Sequence, residues 1–271
     1  MAGDAINAAL QEDALSFDPA TAARAIAEAH ATQRRFANLS GDLAPPSIAD
    51  AYRVQEALVE LWTPTRGAVA GLKIATTTKV MQRLMGIDHP CGGMIYANTI
   101  HDSPARLDRD KFMHVVVECE LAVRLGRDLP AQPLSYTRET VRAAIDAVMP
   151  AFELIEDRHA DYKSTAAASL IADNAWNDGI VLGAPMPPPA GDLDGLDGGL
   201  AINGRQAHAG KTDDPLGALA WVANLAVERG RPLSRGMVVI TGSVIATLPI
   251  ANGDRFEFTI GGLGSVVMTA A

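Results

Sequence analysis

Residues 115–123 read VVVECELAV, an apolar, strand-like run with two carboxylates in its middle. Side chains alternate between the two faces of a strand, so Glu118 and Glu120 are predicted to point the same way and Cys119 the opposite way. An ionised carboxylate in apolar surroundings is strongly destabilised unless a cation compensates it. The pattern therefore predicts a cation beside this strand, and a divalent metal ion is the simplest candidate.

An amphipathic helix is predicted to follow this strand. Thr137 is a suitable cap, Pro150 ends the pattern, and the apolar face consists of Val141, Ala144, Ile145 and Val148. A second strand-like run then begins at residue 151 and contains Glu153. Because a strand, a helix and a strand in succession usually bring the two strands side by side, Glu153 is expected close to the first two carboxylates.

These three carboxylates, Glu118, Glu120 and Glu153, form the predicted ligand set. A site made only of carboxylate oxygens suits a hard cation that keeps several waters, so Mg²⁺ or Mn²⁺ is expected and zinc is not. Glu156 faces the opposite side of a regular strand from Glu153 and is left out.

Composition narrows the classes of partner. The chain has 271 residues, 48% of them hydrophobic, and a formal net charge of −9, which argues against nucleic-acid binding and against anionic membrane surfaces. The start, residues 1–4, lacks the basic region of a signal peptide, and no apolar run approaches the roughly 20 residues of a membrane span. A cytoplasmic protein is expected. Its two cysteines, Cys91 and Cys119, are too few for a disulfide framework, and a reduced, buried thiol is expected at Cys119.

The chain divides into two parts by pattern. Residues 1–66 contain two predicted helices, 20–35 after Asp18 and 48–62 after the cap Ser47. We interpret them as an N-terminal helical arm that packs on the core, and a neighbouring subunit is the second surface on which such an arm can pack. Residues 67–271 alternate short strands with glycine-containing turns, including a hairpin at Asn203-Gly204. Since strands and helices do not alternate regularly, the predicted fold is α+β, a partly closed, roll-like mixed sheet.

Several short motifs occur together in one order. They are residues 71–74 (GLKI), 118–120 (ECE), 152–153 (FE), 172–175 (ADNA), 239–242 (VITG), 252–254 (NGD) and 262–266 (GLGSV). In order and spacing, from about Gly67 to the carboxyl end, the chain resembles the fumarylacetoacetate hydrolase superfamily. Within it the chain is most similar to the group of 2-keto-4-pentenoate hydratases, 2-oxohept-4-ene-1,7-dioate hydratases and 4-oxalocrotonate decarboxylases.

The resemblance implies a β-roll core around Mg²⁺ or Mn²⁺ held by Glu118, Glu120 and Glu153. It implies a small 2-oxo or 2-hydroxydienoic acid as substrate, whose 1-carboxylate and 2-oxygen chelate the metal. Lys73 matches the active-site lysine of the family, with the role of pairing with substrate charge or moving a proton at the enolate. The competing interpretation is a surface lysine at a strand end.

Two departures from the family pattern bear on the substrate. Asn98 stands where an aspartate is expected in the hydratases, and it cannot accept a proton, so as a candidate catalytic residue it weakens the hydratase interpretation. Trp176 follows the ADNA motif, where a small residue is common, and either narrows the pocket as a stacking wall or is a core aromatic. Thr241 and Gly242 are candidate contacts for the substrate carboxylate, with an ordinary strand-end turn as the alternative.

The sequence thus predicts a metal-dependent hydratase of 2-hydroxy-2,4-dienoates, as in the meta-cleavage breakdown of aromatic compounds. A metal-dependent decarboxylase or carbon-carbon hydrolase of a 2-oxo acid is the first alternative. A non-catalytic partner subunit is the second, and the intact set of carboxylates argues against it. The helical arm and the family resemblance lead us to expect a homo-oligomer.

Overall fold

The computed structural model describes residues 17–271. Its helices are α1 (Pro19–Ala31), α2 (Ile48–Arg66), α3 (Lys79–Met85), α4 (Arg138–Arg142), α5 (Ala167–Ala172) and α6 (Pro215–Glu228). Its strands are β1 (Val69–Ala75), β2 (Cys91–Tyr96), β3 (Ile100–Asp102), β4 (Ala105–Leu107), β5 (Val115–Leu125), β6 (Ile145–Glu156), β7 (Asn177–Leu182), β8 (Asp197–Ile202), β9 (Arg205–Lys211), β10 (Val238–Pro249), β11 (Arg255–Ile260) and β12 (Gly264–Ala270). The first residues of the predicted arm, and the start in which no signal peptide was expected, lie outside the described residues.

Two mixed sheets form the core. The larger has the strand order β2-β1-β10-β5-β6-β7-β3, and the smaller has the order β4-β12-β11-β8-β9. The two sheets pack through aromatic side chains, since the ring of Phe152 in β6 lies 6.3 Å, centroid to centroid, from those of Phe256 and Phe258 in β11. The predicted α+β class with a roll-like mixed sheet is confirmed.

Both predicted helix starts in the arm are confirmed. The Asp18 carboxylate accepts hydrogen bonds from the first turn of α1, and the Ser47 hydroxyl caps α2. Apolar side chains of both helices, such as Ile26 and Leu58, share one buried core with Leu72 of β1. Because the arm and the strands share this core, the division into an arm and a core at residue 66 stays a prediction.

The predicted helix between the first two carboxylate strands is wrong over most of its length. Thr137 caps α4 as expected, but the helix ends at Arg142 and β6 already begins at Ile145. β6 is buried on both faces, so apolar residues occupy most of its positions. Over a short window such a continuous apolar run also contains the spacing of a helix face. Pro150 lies inside this strand, opposite Leu121, instead of ending a helix.

Other local predictions are confirmed. Asn203 and Gly204, with φ of 53° and 76°, form the turn between β8 and β9. Cys91 and Cys119 are both free and buried. Within residues 17–271, no helix combines the length and apolar character that a bilayer span requires.

Gly71 tests the close pairing of β1 with β10. A Cβ atom at Gly71 would lie 2.1 Å from the carbonyl oxygen of Val238, so Gly71→Ala must push the two backbones apart. We expect this substitution to lower the free energy of unfolding by about 1 to 3 kcal/mol, measured by urea denaturation. Gly191→Ala is the control, because a Cβ there meets no heavy atom within 4 Å. Equal unfolding midpoints for the two variants would contradict this account of the β1 and β10 pairing.

Candidate active site

The pairing of β5 with β6 brings the three predicted carboxylates together. Glu118 lies directly opposite Glu153 in the antiparallel register, and Glu120 is two positions further along the same face of β5. One carboxylate oxygen from each of the three residues lies within 4.8 Å of the other two. We call these three residues the carboxylate cluster.

Two fully buried oxygens of the carboxylate cluster have no hydrogen-bond donor among the described residues. Glu120 and Glu153 are both 0% exposed, and Oε1 of Glu120 and Oε2 of Glu153 are unpartnered. Their other oxygens are occupied: the Gly242 N–H donates to Glu120 Oε2 at 2.6 Å, and the Asn177 amide donates to Glu153 Oε1 at 2.9 Å. Because an orphaned buried carboxylate oxygen is costly, these two oxygens are suited to a cation.

Burial and repulsion raise the pKa values of two members of the carboxylate cluster. Burial raises the pKa of both Glu118 and Glu120, and the charge of Glu153 raises each pKa further. A group with a raised pKa stabilises the folded state at low pH and loses this contribution as the pH rises through its folded-state pKa. Without a cation, the ionised cluster is therefore a source of instability near neutral pH.

Lys73 supplies a positive charge to the cluster. Its Nζ atom lies 2.8 Å from Oε1 of Glu153, and its side chain is 3% exposed, so Lys73 is not the surface lysine of the competing interpretation. Burial alone lowers the pKa of Lys73, but the attraction of Glu153 and Glu118 outweighs it and the pKa is raised. Lys73 is therefore a buried ammonium beside the carboxylate cluster.

Gly93 makes room for Lys73. It lies opposite Lys73 in the β1 and β2 pair, and a Cβ atom at Gly93 would lie 3.2 Å from Cγ of Lys73 and 2.6 Å from the carbonyl oxygen of Asn174. The absence of a side chain at Gly93 thus allows the lysine stem and the loop at Asn174 to approach the same point.

The charges and donors of the site fit a divalent cation. Three carboxylates and one ammonium leave a formal charge of −2 when all are ionised. The donors are all carboxylate oxygens, which hard cations such as Mg²⁺, Mn²⁺ and Ca²⁺ prefer. The carboxylate cluster could therefore hold a divalent metal ion.

A cavity of about 470 Å³ opens onto the carboxylate cluster. Its polar side includes Lys73, Glu118 and hydroxyl-bearing residues of the segments 76–78 and 243–247. The lining also includes a set of apolar and aromatic side chains that we call the apolar wall: Met81, Met85, Ile155, Tyr162, Leu170 and Trp176. The cavity therefore combines charged, hydroxyl-bearing and apolar lining residues.

Trp176 belongs to the apolar wall. Asn174, Ala175 and Trp176 all have positive φ angles, 53°, 47° and 59°, a conformation that L-residues avoid. The Asn174 side chain supports this turn by accepting from the N–H of Met94 at 2.7 Å and donating to its carbonyl at 2.9 Å. The indole packs edge-to-face against Phe36 and Tyr162, at 5.1 and 5.2 Å between ring centroids.

Three predicted site residues differ in position or contact from what was expected. Asn98 lies in a turn after β2, is exposed, donates to the carbonyl of Thr65 at 3.2 Å and does not line the cavity. The Thr241 hydroxyl donates to the carbonyl of Leu121 at 2.8 Å. Gly242 does line the cavity, but its N–H is used by Glu120. We therefore assign no substrate contact to Asn98 or Thr241.

Sequence reasoning missed Thr247 and Asn177, which hold the cluster from two sides. The Thr247 hydroxyl donates to Glu118, and the Asn177 amide donates to Glu153. Thr247 reaches Glu118 because the register of β10 against β5 shifts between Ile245 and Leu248. Asn177 follows Trp176 directly in the sequence and could have been identified as a candidate site residue. A shift in strand register, in contrast, leaves no recognisable pattern in a single sequence.

The profile of the family described as fumarylacetoacetate (FAA) hydrolase, C-terminal, matches residues 87–270. This span contains every member of the carboxylate cluster.

Similar proteins include enzymes of known name. The chain is 32% identical to 2-keto-4-pentenoate hydratase 1 of Dechloromonas aromatica, over 90% of this chain and 94% of that protein. It is also 32% identical to the TodF product hydratase of Pseudomonas putida, over 86% and 87%. Among solved structures, 4-oxalocrotonate decarboxylase from Pseudomonas putida G7, complexed with magnesium and adipate, superposes with a TM-score of 0.84 at 27% identity, covering 93% of this chain and 97% of that one.

Thermal denaturation tests the carboxylate cluster as a metal site. We expect MgCl₂ or MnCl₂ to raise the melting temperature of the wild-type protein, since a ligand at about 100 times its Kd stabilises a fold by roughly 2.7 kcal/mol. Glu120→Gln should lose most of this shift because it removes a charged ligand oxygen. Without metal, the same variant should be at least as stable as the wild type near neutral pH, because repulsion within the cluster is relieved.

Glu257→Gln is the matched control for this experiment. Glu257 lies on β11 and pairs with Arg255 at the surface, so its variant should keep the full metal-induced shift. An undiminished shift in Glu120→Gln would remove Glu120 from the ligand set.

Proposed function

Because this chain belongs to the fumarylacetoacetate hydrolase family, we propose that it is a divalent-metal-dependent hydratase, a hydro-lyase that adds water to a 2-hydroxy-2,4-dienoate. The observation that carries the proposal is the carboxylate cluster paired with Lys73, with Lys73 and Glu118 both lining one cavity. The similarity to named hydratases over 90% and 86% of this chain supports the reaction class.

Glu118, Glu120 and Glu153 would hold the metal, and Mg²⁺ or Mn²⁺ is the proposed ion. The two unpartnered oxygens of Glu120 and Glu153 support this assignment, as does the magnesium in the solved structure of the similar decarboxylase. When bound, such an ion supplies a Lewis acid that polarises the 2-oxygen of a 2-oxo acid.

Lys73 is the proposed proton carrier and charge partner at the reacting end. Its buried ammonium, paired with Glu153, can donate a hydrogen bond and can balance the negative charge of the substrate. The contact with Glu153 holds the ammonium in place before substrate arrives. Preorganised charge of this kind stabilises an enolate without further rearrangement of the site.

The proposed reaction has two stages. The dienol first becomes an α,β-unsaturated 2-oxo acid by losing the proton of its 2-hydroxyl group and gaining one at its terminal carbon. Water then adds across the remaining carbon-carbon double bond, with its oxygen on C4 and its proton on C3. Both stages pass through an enolate, and Lys73 is the proposed hydrogen-bond donor to its 2-oxygen.

The position of Asn98 bears on the choice of reaction. In the sequence, an asparagine in place of an aspartate weakened the hydratase interpretation. Asn98 does not line the cavity, so its inability to accept a proton is no argument against hydration.

Decarboxylation of a 2-oxo acid is the second candidate. The solved structure of 4-oxalocrotonate decarboxylase superposes on 93% of this chain with a TM-score of 0.84. A decarboxylase uses the same enolate as an electron sink, so the carboxylate cluster and Lys73 serve both reactions equally well.

An assay of the purified protein with Mg²⁺ or Mn²⁺ separates the candidates. We expect 2-hydroxypenta-2,4-dienoate to be consumed, seen as loss of the ultraviolet absorbance of the dienol, with one water added per product molecule by mass spectrometry. Release of CO₂ from 4-oxalocrotonate without hydration of the dienoate would favour the decarboxylase. Turnover of an acylpyruvate alone would overturn both.

Lys73→Met tests the proposed proton carrier. We expect kcat to fall by about 100-fold or more, the usual range for loss of a general acid, while the metal-induced rise in melting temperature persists. Lys211→Met is the control: Lys211 is an exposed residue of β9 whose Nζ lies 2.6 Å from Asp197, and its loss should leave kcat unchanged. Wild-type kcat in Lys73→Met would remove Lys73 from the chemistry.

A further inference from the structure

We infer that Tyr162 and Asp157 act as a pair that takes the proton of the attacking water. This inference rests on the proposed function, because it concerns the second stage of the reaction, in which water adds to C4. It assigns Tyr162 as a further catalytic residue and Asp157 as a positioning residue that acts through it. Neither belongs to the carboxylate cluster.

Water addition needs a group in the cavity that can take up a proton. Among the cavity-lining residues in the described range 17–271, the side chains that titrate are those of Lys73, Glu118 and Tyr162. The ammonium of Lys73 has no lone pair for a proton, and Glu118 is a proposed metal ligand. Tyr162 is therefore the titratable side chain that remains for this step.

The hydroxyl of Tyr162 differs from the other hydroxyls of the cavity in its acceptor. It donates to Oδ2 of Asp157 at 3.0 Å. The hydroxyls of Thr76 and Ser243 donate to backbone carbonyls, and that of Thr247 donates into the carboxylate cluster. Among the described lining residues, Tyr162 thus has the hydroxyl that donates to a carboxylate outside the carboxylate cluster.

Asp157 is buried and held in a fixed orientation. It is 2% exposed, and its Oδ1 accepts from the backbone N–H of His159 at 2.9 Å and lies 2.6 Å from Nδ1 of His114. Strand register explains the second contact: Val115 of β5 lies opposite Glu156 of β6, so His114 and Asp157 are the next residues outward on the two strands. With Oδ1 occupied in this way, Oδ2 is left for the phenol.

The imidazole of His114 lies between Asp157 and solvent. Its ring stacks on that of His159, with 4.2 Å between the ring centroids, and its side chain is 32% exposed. A continuous chain of hydrogen bonds therefore runs from Tyr162 in the cavity, through the buried carboxylate of Asp157, to a partly exposed imidazole.

The phenol of Tyr162 is held by packing and lies near the carboxylate cluster. Its ring packs edge-to-face on Trp176. Burial and the charge of Asp157 raise the pKa of Tyr162, and the charges of Glu118 and Glu153 raise it further, so the phenol stays protonated within electrostatic range of the cluster. Because its one proton is directed to Asp157, the phenol oxygen is free to accept a hydrogen bond from water.

The proposed step moves two protons along this chain. As the water oxygen bonds to C4, the electron pair of the C3–C4 double bond moves into the enolate. A proton of the water passes to the phenol oxygen of Tyr162, and the phenol's own proton passes to Oδ2 of Asp157. The enolate electron pair then bonds C3 to a proton from Lys73. Between turnovers Asp157 loses its proton to solvent and Lys73 regains one, so the step needs no oxidant or reductant.

Tyr162→Phe separates the two stages of the proposed reaction. With Mg²⁺ and 2-hydroxypenta-2,4-dienoate, we expect kcat for hydration to fall by about 100-fold or more, while the dienol is still consumed. Unhydrated 2-oxopent-3-enoate should then accumulate, seen by mass spectrometry as a product with the mass of the substrate. Tyr136→Phe is the matched control and should hydrate at the wild-type rate, because Tyr136 donates its hydroxyl to the carbonyl of Pro130 at 2.6 Å and does not line this cavity.

Asp157→Asn tests the positioning residue. The amide oxygen of asparagine accepts the hydrogen bond of the phenol but cannot keep a proton at neutral pH, so the same unhydrated product should accumulate. A purely structural role of Asp157 would slow both stages alike and leave the ratio of the two products unchanged. Asp161→Asn is the control from the same loop: Asp161 is exposed and accepts from the backbone N–H of Lys163 at 3.1 Å.

Each other outcome counts against one of the two proposals. Hydration at the wild-type rate in Tyr162→Phe would overturn the inference and leave the proposed function standing. Loss of both stages in a Tyr162→Phe protein that keeps the metal-induced rise in melting temperature would do the same, because the pair acts in the second stage alone. Lack of hydration by the wild-type protein would overturn the proposed function, and the inference with it.

Discussion

The burial of three carboxylates around one point is the constraint on which the rest of the site depends. Glu120 and Glu153 have no exposed surface, and one oxygen of each has no donor within the described part of the chain. Burial and repulsion raise the pKa of Glu118 and Glu120, so the ionised cluster opposes folding until positive charge is added. Lys73 supplies part of that charge. The remainder matches a divalent cation, which makes metal binding and stability parts of one equilibrium.

Strand register maintains this arrangement. Glu118 faces Glu153 across β5 and β6, and a slip of one residue would turn Glu118 and Glu120 to the opposite face of the sheet. The neighbouring strand β10 is irregular where it passes the cluster, which brings the Gly242 N–H to Glu120 and the Thr247 hydroxyl to Glu118. The regular pairing thus positions the charges, and the irregular strand provides their hydrogen-bond donors.

The parts of the site that follow from local periodicity were predictable. Alternation along a strand is enough to place Glu118 and Glu120 on one face, the next strand-like run along the chain added Glu153, and the motif resemblance added Lys73. The helix predicted up to Pro150 failed because a strand buried on both faces and a short helix share the same apolar pattern. The roles given to Asn98 and Thr241 came from position in a motif alone, and three-dimensional contacts decide those roles. Register shifts such as the one at Thr247 are absent from a single sequence.

The lining of the cavity comes from both strands and short helices. Lys73 and Glu118 lie on β1 and β5, whereas Met81 and Leu170 of the apolar wall lie on the short helices α3 and α5. Phe36 of the arm packs on Trp176, and the Phe36 N–H donates to the carbonyl of Arg158 at 2.9 Å. The arm therefore supports the apolar wall, although it supplies no member of the carboxylate cluster. Changes in these segments can alter the apolar lining of the cavity while the strands that carry the carboxylate cluster stay the same.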